Sequence, residues 1–93
     1  MTDIVHNEPQ CRFELIVDDR LCELDYRLDG QNMSILHTVV PTELGGRGLA
    51  ALLTRAALDT ARSRGWRVQP ICSYAATFIQ RHPEYADLVQ QPL

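Results

Sequence analysis

Apolar and polar residues alternate in two runs near the start of the chain. In "RFELIV" Phe13, Leu15 and Val17 share one face, and in "LCELDYRL" Cys22, Leu24, Tyr26 and Leu28 do the same. A period of two is that of a strand with one buried face. The runs are joined at Asp18, Asp19 and Arg20. Asp29-Gly30 then supplies turn chemistry before "NMSILHTVV", a third strand that stops at Pro41. Beyond Pro41 the period lengthens. Leu49, Leu52, Leu53, Ala56, Ala57 and Ala61 recur at helical spacing, with Thr54, Arg55, Asp59 and Arg62 on the other side. Gly65 ends this helix, and Arg62 and Arg64 suit its negative end. "WRVQP" follows as a short strand and "YAATFIQRH" as a second helix, interrupted at Pro83 before "EYADLV". The order β-β-β-α-β-α predicts an α+β domain, an antiparallel three-strand meander followed by a crossover whose two strands run parallel. Residues 1–11 mix polar side chains with a proline, and a loose lead-in to a single domain over 12–93 is expected there.

Composition narrows the classes. Ninety-three residues hold one modest core, so a ligand, or a second copy in a homodimer, would help stability. No apolar run is long enough to span a bilayer, and "MTDIVHNEPQ" lacks the basic start and apolar stretch of a secretory signal, which points to the cytoplasm and away from membranes. Cys11, Cys22 and Cys72 are odd in number and hold no CxxC pair, so free thiols are expected rather than a disulfide framework or a metal site. A net charge of −3 argues against a nucleic-acid surface. All nine basic residues are arginine, whose planar fork of donors suits a phosphate. One phosphate-bearing ligand therefore stays in view.

The stretch "TVVPTELGGRGLAALLTRAAL", Thr38 to Leu58, sharpens that possibility. Glycine is a poor helix starter, yet Gly45, Gly46 and Gly48 crowd the start of this one around Arg47. A helix start carries unpartnered N–H groups and a partial positive charge, and glycines let a phosphate approach the backbone closely. The plain alternative is a tight strand-to-helix turn. No Lys-Ser/Thr pair follows, and the GxGxxG order is absent, so neither a P-loop nor a dinucleotide fold is indicated.

The same stretch resembles motif A of the GNAT acetyltransferase superfamily, in which Arg/Gln-x-x-Gly-x-Gly/Ala holds the acyl-CoA pyrophosphate. Gly48 and Ala50 match, and Gly45 stands where Arg or Gln is usual. "HTVVP", "VQPICSY" and "RHPEYADLV" extend the likeness to the short, single-domain, YidJ-like members over about residues 12–89. The resemblance implies that the third strand and the strand after the helix splay apart. A pantetheine arm would pair with backbone at Val39 and Val40, the pyrophosphate would rest on Gly45, Gly46, Arg47, Gly48 and Leu49, and the thioester would point toward Cys72. It implies acetyl-CoA as co-substrate and transfer of acetyl to an amine, from a protein, a peptide or a small molecule.

Two side chains are candidates for the chemistry. Cys72 precedes a helix start and could carry the acetyl group, although a lone cysteine after a strand also reads as core. His37, on the Met33-Ile35-Val39 face, could take the amine proton or be a hydrogen-bonded core residue. The superfamily's usual tyrosine for protonating the departing thiolate is absent from "TFIQRH", leaving Cys72, Tyr74 or His82 for that task. His82 also reads as a helix end before Pro83, Arg55 and Arg81 as solvated, and Trp66 and Phe78 as core. A CoA-binding or interaction module without turnover, and an adaptor without ligand, are the rival readings.

Overall fold

A computed structural model describes residues 3–89. Five strands form one sheet in chain order: β1 (Val5–Asn7), β2 (Arg12–Val17), β3 (Arg20–Asp29), β4 (Asn32–Val39) and β5 (Arg67–Pro70). The first four pair antiparallel and β4 pairs with β5 in parallel. Helix α1 (Leu49–Arg64) makes the crossover between β4 and β5, and α2 (Ser73–Arg81) leads into a 3₁₀ turn, Pro83–Leu88. The α+β class is that observed, and from β2 onward so is the expected element order.

The alternating runs fold as their period requires. Phe13 and Leu15 of β2, Cys22, Leu24 and Tyr26 of β3, and Met33 and Ile35 of β4 are buried against Leu49, Leu53, Ala57, Leu58 and Ala61 of α1. Two aspartates turn the β2–β3 hairpin, with φ of 52° at Asp18 and 61° at Asp19. Left-handed backbone at both central positions matches the twist of the flanking strands, and Asp tolerates it better than most side chains. The Gly65 N–H bonds back to the Arg62 carbonyl and closes α1, with Arg62 and Arg64 in its last turn.

Three local expectations are corrected. Residues 5–10 are not a loose lead-in, because Val5–Asn7 pairs with β2 and Glu8–Gln10 forms a 3₁₀ turn. His6 holds them down, stacking on Phe13 at 4.2 Å and hydrogen-bonded to the Tyr26 hydroxyl at 2.6 Å. These contacts join residues far apart in sequence, so no local pattern announces them. On α1 the buried stripe is rotated: Thr54 is fully buried and Leu52 is exposed. The Thr54 hydroxyl donates to the Ala50 carbonyl at 2.8 Å, which removes the cost of burying it. The third correction concerns β4. Tyr26 faces Ile35 and Asp25 faces His37, so Leu36 is an extra residue, a β-bulge. The bulge turns His37 away from the face that carries Met33 and Ile35.

Candidate functional site

The strand fork comes first. Strands β4 and β5 stay paired from Asn32↔Arg67 to Ile35↔Pro70 and no further. At the last pair the Ile35 carbonyl accepts from both the Ile71 N–H, at 3.1 Å, and the Cys72 N–H, at 2.9 Å. Cys72 therefore sits in the crotch where the chains part, as the residue capping α2. Its thiol is partly buried, 3.9 Å from the Thr38 hydroxyl on β4. Of the other cysteines, Cys11 is likewise partly buried, while Cys22 is fully buried and burial pushes its thiol up.

Beyond the fork, Pro41 opens a 3₁₀ turn, Thr42–Leu44, anchored by buried Leu44, and the glycines follow. Gly46 has φ of 82° and Gly48 of 74°. A side chain in the left-handed region costs about 1–2 kcal/mol, which explains glycine at these positions without any crowding. A Cβ added at either would meet nothing within 4 Å, so the space above the backbone is open. Gly48 caps α1 without a side chain, and the first turn holds no acid. The first backbone bond of the helix runs from the Leu52 N–H to the Gly48 carbonyl at 3.1 Å, so the N–H groups before it have no partner within the helix. A cleft of about 230 Å³ lies here, lined by Val40, Leu44, Gly45, Gly46, Gly48, Leu49, Ala50 and Tyr74. Its chemistry is unpartnered backbone donors at a helix's positive end, beside apolar walls.

Of the residues expected to hold the acyl-CoA, Val40, Gly45, Gly46, Gly48 and Leu49 line this cleft, and Val39 and Arg47 do not. Val39 pairs with Glu23 and is half exposed on the other face of the sheet. Arg47 forms an ion pair with Asp18 of the β2–β3 turn at 3.0 Å, both side chains exposed. Such a pair is worth roughly 0–1 kcal/mol, so it yields readily to a stronger anion. Tyr74, from the first turn of α2, is a wall of the cleft that sequence spacing did not place there.

His37 lies on the outer face, and the structure does not join it to Cys72. Its Nε2 is 2.6 Å from Asp25 Oδ2. The other oxygen of Asp25 accepts from Arg12 Nε at 3.2 Å, and Arg12 also reaches Glu14 at 3.5 Å and Glu23 at 3.4 Å. Burial, with Asp25 beside it, pushes the Glu23 carboxyl up. Sequence reasoning missed Arg12 and Asp25 because each looks like an ordinary solvated residue on the outward side of an alternating strand.

The remaining candidates have structural partners. The His82 Nδ1–H donates to the Phe78 carbonyl at 2.8 Å and its ring stacks on Phe78 at 4.0 Å, so it ends α2. Arg55 is not free in solvent: it donates to the Tyr85 hydroxyl at 3.1 Å and lies over the rings of Phe78 and Tyr85. The Tyr85 hydroxyl in turn donates to Asp59 at 2.6 Å. Trp66 and Phe78 are buried, as expected of core residues. Among the described residues no helix is long and apolar enough to cross a membrane.

A family model described as GCN5-related N-acetyl-transferase matches residues 12–88. The chain is also similar to a GCN5-like protein from Staphylococcus aureus, proposed to be an N-acetyltransferase, whose solution structure was determined by NMR. The two are 29% identical, with 98% of this chain and 90% of that one covered and a TM-score of 0.76.

Proposed function

The chain belongs to the GCN5-related N-acetyltransferase family, and from that premise we propose that it is a short, single-domain, YidJ-like acetyl-CoA-dependent N-acetyltransferase with an open acceptor site. The observation that carries this reading is the fork, with Cys72 at its crotch and the glycine cleft beside it. An acyl-CoA fits the residues present: its pyrophosphate would meet the donors at the start of α1, where no acid repels it, and Arg47 would turn from Asp18 to join them. Backbone at Val39 and Val40 would hold the pantetheine arm. The thioester, the acyl donor, would then lie near Cys72.

Two routes follow. In the direct one, His37 takes a proton from the acceptor amine, backbone N–H groups hold the oxyanion, and the amine attacks the thioester. In the covalent one, the Cys72 sulfur attacks first, forming an acetyl-cysteine as the C–S bond to CoA breaks, and the amine then displaces the cysteine. With His82 engaged in ending α2, the proton for the CoA sulfur falls to Tyr74 or Cys72. Because Gly45 stands where the family pattern has Arg or Gln, a CoA-binding module without turnover is the second reading.

Thiol release from acetyl-CoA with a panel of amines tests the proposal. Release above background supports transfer, and tight CoA binding without release supports the module. Intact mass separates the routes cleanly because the chain has no lysine to collect background acetyl. A single hydroxylamine-sensitive acetyl group, lost together with turnover in Cys72→Ala and retained in Cys11→Ala and Cys22→Ala, is the covalent outcome. Full turnover in Cys72→Ala with loss in His37→Ala is the direct one.

A further inference from the structure

We infer that Asp25 is the positioning residue for His37: set between Arg12 and the imidazole, it fixes the ring tautomer with the proton on Nε2 and leaves Nδ1 bare for an acceptor amine. The inference rests on the reading above in which His37 takes the amine proton. Arg12 is paired with Asp25 across β2 and β3, and Asp25 with His37 across β3 and β4, so the three side chains form one row over the outer face. Asp25 Oδ1 accepts from Arg12 Nε at 3.2 Å and Oδ2 lies 2.6 Å from His37 Nε2. Both carboxylate oxygens are engaged, and an ionised carboxylate only accepts, so the proton in the second contact belongs to Nε2. A neutral imidazole that donates from one nitrogen accepts at the other.

The bulge makes the row. Continued without Leu36 as an extra residue, the Tyr26↔Ile35 register would set His37 opposite Leu24, whose side chain is buried in the core. With it, the ring comes to the outer face two residues past the last β4–β5 pair, beside the fork. Exposure separates this arrangement from an ordinary surface pair: the Asp25 side chain is 19% exposed while the His37 side chain is 58% exposed. The holder is fixed and the ring is reachable. The charged groups facing the pair are Arg12 and Glu14 from β2 and Glu23 from β3, and Asn7 of β1 donates to Glu14 at 3.2 Å. In the transfer, the acceptor nitrogen gives up two protons, one from the ammonium before its freed lone pair attacks the acetyl carbon and one after the C–N bond forms. One goes to His37 Nδ1 and then to water, and the other ends on the CoA sulfur as the C–S bond breaks.

Two measurements on the full chain test Asp25→Asn, a change that keeps the side-chain shape. The first is imidazole ¹⁵N–¹H correlation NMR of the free protein above pH 8. Wild type should show His37 protonated on Nε2, and Asp25→Asn should show a mixed or Nδ1-protonated ring; the same tautomer in both would overturn the inference. The second is steady-state acetyl transfer. Asp25→Asn should lower kcat roughly tenfold to a hundredfold, no more than the ~10²–10⁴-fold contribution of the general base it positions, with the KM for acetyl-CoA unchanged. Asp25→Glu should recover part of it, and Asp25→Asn added to His37→Ala should cost nothing further. Full additivity in that double variant, or an unchanged kcat in the single one, would also overturn it. A wild-type chain that acetylates no amine would sink the transferase reading instead, and the NMR measurement then decides the positioning role alone.

Discussion

The cleft at the start of α1 and the charged row on the outer face lie at the same end of β4, yet they are built from different material. The cleft is largely backbone: glycines in left-handed conformation, a helix start without a side-chain cap, apolar walls and no charged side chain in its lining. The row is side chain throughout, with Arg12, Asp25 and His37 drawn from three strands and interlocked. A backbone site is specified by consecutive residues and accepts any anion that fits its donors. A side-chain row depends on strand register and discriminates by protonation state. On the proposed reading, binding rests on the first kind of construction and proton transfer on the second, and each should break without the other.

The largest expected effect belongs to the cleft. A ligand that binds only the folded chain stabilises it by RT ln(1 + [L]/Kd), about 2.7 kcal/mol at a hundredfold excess over Kd. For a domain this small, acetyl-CoA at that excess should raise the melting temperature by roughly 10 °C or more. Pantetheine without the nucleotide should do much less. No shift with saturating acetyl-CoA would remove the cleft's assigned role.

Next in size is Gly48→Val. It forces a β-branched side chain into the left-handed region and into the open space above the backbone, so acetyl-CoA affinity should fall at least about tenfold, or ~1.4 kcal/mol. Isothermal titration reads the affinity, circular dichroism checks folding, and the His37 tautomer should be unchanged. A folded variant with unaltered affinity would show that these glycines serve only the turn.

Arg12→Met attacks the row instead. It removes three charged contacts made by a partly exposed arginine, so the melting temperature should move far less than it does with acetyl-CoA. The ¹⁵N signature of His37 should broaden or shift while acetyl-CoA affinity holds. A drop in affinity comparable to that of Gly48→Val would mean that the two regions are not independent.

The smallest effect concerns pH. His6, on β1, stacks on Phe13 at the core face of the sheet, away from the row, and burial holds its pKa below the usual histidine value. Its unfolded form binds a proton first, so the stability it contributes is complete above about pH 6.5 and is lost as pH falls through the lower folded value. Thermal melts between pH 7.5 and 5.5 should decline, and His6→Phe should flatten that decline. The raised Glu23 carboxyl acts with opposite sign, so it cannot mimic the decline. A wild-type profile flat over this range would contradict the burial of His6.

By itself the sequence determined what depends on neighbours along the chain. Alternation set β2, β3 and β4, helical spacing set α1, and the glycines with Ala50 marked the anion-ready helix start, because strand faces, helix faces and turns are fixed by residues a few positions apart. Cys72 at the end of "WRVQPIC" was legible for the same reason. Tertiary structure decided the rest. Only the folded sheet shows that Leu36 bulges and turns His37 outward, that Asp25 and Arg12 meet it there, and that Val5–Asn7 is an edge strand pinned through His6 to Tyr26. It likewise shows Arg47 on Asp18, Arg55 on Tyr85 and Tyr74 in the cleft wall. The side-chain contacts among these join residues 12 or more positions apart, and such pairings follow from strand register and helix packing, which no short window of sequence contains.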